Sequence, residues 1–293
     1  MLHTIKNNEL TIQINSLGAE LKSIKDNESG REYMWSGNEK YWGKTSPILF
    51  PFVGSLKNGE YSYDGKTYKM SRHGFAREME FELVSQKDNL IVFALENTKE
   101  TLEKYPFQFR LEIEYEISQK NIKVKWRVIN KDYKKMYFSI GGHPAFACPV
   151  REGFRRTDCF IKFNDVKEIK TTVLEMASGL ITGEYKTYPL ESGLLSIDQT
   201  LFDDDALIIE NNQADTVSLC DENKVPYLTV KFDAPLFGIW SVPDSSASYV
   251  CIEPWYGRCD SKTFEGELQD RDWTNSIDSG KMFEREYEIC INI

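Results

Sequence analysis

The chain has 293 residues, 41% of them hydrophobic and 13% aromatic, enough apolar material for a large core. Lys and Arg number 36 against 46 Asp and Glu, and the formal net charge of −10 argues against a nucleic-acid or anionic-membrane surface, because those partners need clustered positive charge. Six cysteines without Cys-x-x-Cys spacing signal neither a disulfide scaffold nor a zinc knuckle, so reduced, buried thiols are expected. Met1 to Leu10 mixes Lys6, Asn7, Asn8 and Glu9 and contains no apolar stretch of signal length. No later segment approaches about 18 uncharged apolar residues, so a soluble, cytoplasmic chain is the expectation.

Taken in chain order, the elements are mostly strands. Leu10, Ile12 and Ile14 alternate, as on a strand with one buried face. A short helix is predicted over Thr98–Tyr105, begun by Asn97 or Thr98 and stopped by Pro106. Phe109, Leu111, Ile113, Tyr115 and Ile117 alternate again, and so do Ile122, Val124, Trp126 and Val128, which predicts an antiparallel hairpin. Placing Ile117 opposite Ile122 sets Glu116, Glu114 and Glu112 against Lys123, Lys125 and Arg127, three pairs of opposite charge. A slip of one residue would lose both the core alignment and this charge match. Further strands are predicted at Val217 and Leu219, at Leu228, Val230 and Phe232, and at Tyr287, Ile289, Ile291 and Ile293, with one more turn near Phe264–Asp270. Strands without interleaved helices cannot supply parallel crossovers, so the expected fold class is all-β, an antiparallel sandwich. No linker, charge block or repeat divides residues 1–293, and one domain is expected.

Histidine is scarce. His3 lies in a terminus expected to fray. His73 sits in Ser71-Arg72-His73-Gly74-Phe75-Ala76-Arg77, flanked by two guanidiniums. His143 follows Gly141-Gly142 and precedes Pro144, a pattern that predicts a rigid turn at a strand end. Glu253 ends an apolar run and is followed by Pro254, Trp255 and Tyr256; it reaches water at a strand end or is buried with a partner or a raised pKa.

These pieces resemble the galactose mutarotase-like family, the aldose 1-epimerases, and within it the LacX-like and glucose-6-phosphate 1-epimerase-like branches. The matching segments are Leu17-Gly18-Ala19-Glu20-Leu21, Leu49-Phe50-Pro51-Phe52-Val53-Gly54, His73-Gly74-Phe75-Ala76-Arg77, Gly142-His143-Pro144-Ala145-Phe146 and Cys251-Ile252-Glu253-Pro254-Trp255, in that order along nearly the whole chain. The resemblance implies a single β-supersandwich that binds a hexose in an open cleft and interconverts its anomers without cofactor or metal. It implies a small-molecule sugar as partner, neither nucleic acid nor membrane, and leaves room for a homodimer. Glu253 is implied as general base, His143 as general acid protonated at rest, and His73 as a donor to the sugar. Anomerisation needs such a pair: one group takes the proton of the C1 hydroxyl while the other protonates the ring oxygen.

The family's Asp-Ala-Leu pattern selects Asp205 from Asp203-Asp204-Asp205 to hold sugar hydroxyls. Ser55 stands where many relatives carry a substrate-binding arginine, so Lys57 or Arg72 takes that part or the hydroxyl contacts differ. Arg72 and Arg77 keep a phosphorylated sugar open, because phosphate favours bidentate guanidinium, although alternation would put the two on different sides of the loop. Phe146 and Trp255 are the expected pocket walls; Trp42 and Trp240 are also near the motifs, Trp240 in a run apolar enough for the core. Three other readings compete. A non-catalytic sugar-binding protein would not need both Glu253 and His143. A metal hydrolase lacks a helical histidine pair or cysteine cluster. A glycosidase would want a second carboxylate in the setting of Glu253.

Overall fold

The computed structural model describes residues 1–164 and 166–292. Two ten-residue strands form the predicted hairpin, Phe109–Ser118 and Asn121–Asn130, in the register the charges require: Ile117 opposite Ile122, and Glu116, Glu114 and Glu112 opposite Lys123, Lys125 and Arg127. Every second residue of both strands is buried, which is what a sheet covered on one face demands. Around this hairpin a nine-stranded antiparallel sheet assembles. It runs from Leu194–Ser196 through Phe160–Phe163, Thr216–Cys220, Pro226–Phe232 and Met282–Ile291 to the hairpin, and on to Leu90–Glu96 and Glu82–Gln86. The last predicted strand is thus central, although its expected final member Ile293 lies outside the described residues.

A second, eight-stranded sheet packs against the first. Its order is Leu180–Pro189, Glu168–Glu175, Leu207–Glu210, Leu236–Trp240, Tyr249–Tyr256, Ile140–Gly142 and Ile48–Leu49, with Ala145–Ala147 also paired to Tyr249–Tyr256. Aromatic side chains join the two layers: Trp126 of the first sheet meets Tyr256 of the second, and Phe232 meets Phe237. The same buried cluster takes in the three-stranded N-terminal sheet, Leu2–Lys6, Leu10–Asn15 and Glu20–Asp26. The architecture is the expected all-β sandwich.

Among the described residues the one α-helix spans Lys99–Lys104, with Thr98 and Thr101 exchanging side-chain and backbone hydrogen bonds in a capping box. A single 3₁₀ turn, Leu268–Asp270, lies in the second predicted turn region. One expectation changes. Gly141 and Gly142 belong to a strand, not a turn, paired to Leu49 and Ile48 on one side, with Gly141 paired to Trp255 on the other. Their small size serves packing. A Cβ on Gly141 would lie 2.6 Å from the Trp255 ring, and one on Gly142 would crowd Trp126 and Tyr287 across the sandwich.

Candidate active site

The second sheet carries a cleft of about 280 Å³ on its outer face. Glu253 stands in the middle of strand Tyr249–Tyr256, not at its end, and is 1% exposed. Alternation sends Tyr249, Cys251, Glu253 and Trp255 to this face, while Val250 and Ile252 enter the sandwich core. Trp255 lies over the backbone of the neighbouring strands, because Gly238 and Gly141 leave room for its ring. Replacing either hydrogen with a methyl would drive a carbon to within about 2.6 Å of the indole.

His143 enters just after strand Ile140–Gly142. Its backbone N–H donates to Pro47 O at 3.2 Å, and Ala145 N–H donates to Thr45 O at 2.8 Å. The Thr45–Pro47 segment is held in turn by buried Glu20, whose Oε1 accepts from Thr45 N–H at 2.6 Å and Ser46 N–H at 3.0 Å. Motif Leu17–Leu21 therefore braces the site from behind without touching the cleft. The imidazole of His143 stacks on Trp42, with ring centroids 4.8 Å apart, and meets Trp240 and His73 edge-on. Its Nε2 faces Glu253 Oε2 at 3.3 Å, although the pair is not aligned as a hydrogen bond.

His73 is fixed by a reciprocal pair of bonds. Its N–H donates to Gly54 O at 2.9 Å, and Gly54 N–H donates to its Nδ1 at 3.1 Å. An accepting Nδ1 puts the proton of the neutral ring on Nε2, so His73 offers the cleft a donor. The turn that presents it needs positive φ at His73 and Gly74 (68° and 73°), and a Cβ on Gly74 would sit 2.2 Å from Phe50 O. Buried Asp260 secures the same region: its N–H donates to Ser55 O, its carboxylate accepts from Lys57 N–H, and Arg271 pairs with it at 2.6 Å.

The arginines correct the extended-loop expectation. Ala76–Glu78 is a 3₁₀ turn, not alternating strand, and it folds Arg77 back so that its Nη2 donates to Arg72 O at 3.0 Å. Both guanidiniums line the cleft. Arg72 Nη2 lies 3.5 Å from Asp205 Oδ2, and Asp205 lines the cleft as well. Asp203 and Asp204 are exposed, Asp204 pairing with Lys186. Lys57 turns away to Phe264 O, whereas Ser55 and Arg72 both approach Gly179. Phe146 is not a pocket wall. On strand Ala145–Ala147 it alternates into the sandwich and is fully buried there, bridged to Met34. The aromatic walls are Trp255, Trp42 and Trp240.

Burial sets the electrostatics. Desolvation pushes the Glu253 carboxyl well above its ordinary range, with Arg72 pulling the other way. Desolvation, reinforced by Arg72, lowers His143 to about 3, and His73 is also held well below its ordinary value. Proximity to a carboxylate therefore does not keep His143 protonated; burial outweighs the attraction. The motif residues Glu253, His143, His73, Arg72, Arg77 and Asp205 converge, from four separate stretches of chain, on one cleft. Trp42, near the motifs but not among the expected walls, and Val53, within one motif, also line the cleft; Leu174, Gly179 at a hairpin tip and Cys259 were not expected there, and none of them carries a pattern that separates cleft from core.

Similarity to known proteins agrees with this geometry. A family model described as aldose 1-epimerase matches residues 1–267. Protein LacX of Lactococcus lactis subsp. lactis is 32% identical over 295 residues, covering 98% of both chains. Among solved structures, a galactose mutarotase related enzyme from Lactobacillus acidophilus superposes with a TM-score of 0.93 at 34% identity, over 100% of this chain and 98% of that one. A galactose mutarotase-like protein from Lactobacillus casei gives 0.92 at 26% identity, with both chains covered completely. With the fold and the matched length in agreement, the chain belongs to the aldose 1-epimerase family, isomerases that act on sugars.

Proposed function

We propose that the chain works as one domain that interconverts the α and β anomers of a hexose, without a cofactor, by opening and reclosing the sugar ring. The observation that carries this reading is the buried pair His143 and Glu253, 3.3 Å apart and facing one cleft. Ring opening moves the C1 hydroxyl proton to Glu253, breaks the bond between C1 and the ring oxygen, and moves a proton from His143 to that oxygen. After rotation about C1–C2 the same steps run backward on the other face.

The pair needs one proton in total. Carboxylate with imidazolium precedes opening; carboxylic acid with neutral imidazole follows it. Burial favours the second arrangement, as the directions of both pKa shifts show. The fold thus lowers the open-chain stage relative to the charged pair, and the cyclic sugar must draw the proton to His143 as it binds. His73 Nε2–H supplies a donor for the developing charge, Asp205 and Arg72 hold hydroxyls, and the three tryptophans offer apolar faces for the ring.

A neutral hexose is the first reading of the substrate. A hexose 6-phosphate is favoured by one observation, that Arg72 and Arg77 both line the cleft. Polarimetry or NMR exchange on freshly dissolved α-glucose, α-galactose and glucose 6-phosphate, against a buffer blank, separates them. Glu253→Gln and His143→Asn are each expected to lower kcat by about 10²–10⁴-fold. The rate should stay level through neutral pH and fall in acid only where the pair takes a second proton, toward the His143 value of about 3. If no sugar equilibrates faster and both variants still bind sugar, the chain is a binding protein on an epimerase scaffold.

A further inference from the structure

We propose that His143, Cys251 and Glu253 form a binding site for a thiophilic divalent cation of the zinc class, which inhibits the protein by occupying its acid/base pair. Cys251 and Glu253 lie two residues apart on the same face of strand Tyr249–Tyr256, and His143 meets them from the adjoining segment. One donor atom from each of the three side chains lies within 4.8 Å of the other two, and all three residues are buried. Thiolate, imidazole and carboxylate are the donors zinc prefers.

Two observations go beyond proximity. Glu253 Oε2 has no hydrogen-bond partner although its residue is 1% exposed, a state that buried carboxylate oxygens seldom keep. Its 3.3 Å gap to His143 Nε2 is poorly aligned for a hydrogen bond. Yet it matches the nitrogen-to-oxygen edge of a zinc tetrahedron, about 3.3 Å for bonds of about 2.0–2.1 Å. The corresponding sulfur-to-nitrogen edge is about 3.5 Å, and the thiol, within 4.8 Å of the other two donors, needs only a small shift to complete the set. The fourth position then opens to the cleft, where water or a sugar hydroxyl completes the tetrahedron. Binding forms one bond each to sulfur, nitrogen and oxygen and releases two protons to solvent, one from the thiol and one from the His143–Glu253 pair. The resulting complex is electrically neutral, which suits a buried place.

Cation binding stands apart from the epimerase reading; only the inhibition rests on it. The test adds Zn²⁺ alone, and Co²⁺ in parallel, to the chelator-treated wild type, Cys251→Ala and Cys251→Ser. Calorimetry should find one ion per wild-type chain, and Co²⁺ should give a sulfur-to-metal charge-transfer band that both variants lack. Replacing an outer partner of a metal ligand weakens binding by about 10–100-fold, so losing the ligand itself should weaken it by on the order of 100-fold or more. Zn²⁺ should slow anomerisation in the wild type, reversibly with chelator, and far less in either variant when each is scaled to its own metal-free rate. Equal Zn²⁺ affinity in wild type and variants, or Co²⁺ bound without a sulfur band, would overturn the site. Because calorimetry and absorbance do not depend on turnover, a wild type inactive on every sugar would refute the epimerase reading and leave this result standing.

Discussion

The outer face of the hairpin Phe109–Asn130 and the floor of the cleft both carry charge, and they treat it in opposite ways. On the hairpin the charged groups pair with one another and with their neighbours: Arg127 reaches Glu114 and Glu284, Lys125 reaches Glu114 and Glu286, and Arg110 reaches Glu96 and Glu112. In the cleft, Glu253 Oε2, His143 Nδ1, Arg77 Nε and Trp255 Nε1 are buried with no hydrogen-bond partner. The hairpin's outer face pairs its charges, whereas the cleft leaves these four polar atoms without a hydrogen bond, as the interior does at scattered points such as Trp126 Nε1 and Tyr287 Oη. Leaving them so is unfavourable, at roughly 1–3 kcal/mol for each buried group, and the sandwich beneath must offset it.

The largest expected effect falls on that sandwich. Trp126 is fully buried, contacts Tyr256 and Tyr287, and backs the strand that leads into His143. Trp126→Ala should cost about 3–5 kcal/mol, read from the urea unfolding midpoint. A loss below about 1 kcal/mol would mean that the two sheets do not depend on this contact.

Next comes a change in the cleft with the opposite sign. Burial raises the folded-state pKa of Glu253 above its ordinary value of 4.5. Its protonated form therefore fits the fold, and the associated stability is complete below about 4.5 and is lost as pH rises through the folded value. Glu253→Gln does not titrate. Its melting temperature should exceed that of the wild type at pH 8, with the gap closing as pH falls toward 4. A gap independent of pH would show that Glu253 ionises as freely folded as unfolded. The same variant is expected to be the least active, so the residue that serves chemistry is one the fold would be steadier without.

The sequence reveals the two regions unequally, for physical reasons. The hairpin register was legible because a period-2 apolar pattern and a charge pattern on the opposite face impose the same pairing. The short helix was legible through Thr98 and Pro106. The cleft's polar residues stood out because histidine is scarce and because His73, His143 and Glu253 sit in motifs that resemble a family. Its aromatic walls did not stand out. Phe146 and Trp255 look alike as neighbours of motif residues, and only the pairing of their strands sends one inward and the other outward. Arg77 reached the cleft through a 3₁₀ turn that alternation cannot anticipate. The protonation of His143 also escaped, since a sequence shows the carboxylate beside an imidazole but not the depth at which both are buried.

The smallest effect tests the hairpin side of the comparison. Glu114 lies 3.0 Å from Arg127 and 3.9 Å from Lys125, and its side chain is 13% exposed. Removing its charge strands neither cation, because Arg127 keeps Glu284 at 2.6 Å and Lys125 keeps Glu286 at 3.5 Å. Glu114→Gln should therefore lower stability by less than about 1 kcal/mol, and the loss should shrink as salt is raised. The measurement is chemical unfolding at low and high ionic strength. A loss of several kcal/mol, unchanged by salt, would mean that these pairs are as isolated from water as His143 and Glu253, and the contrast between a satisfied surface and an unsatisfied cleft would fail.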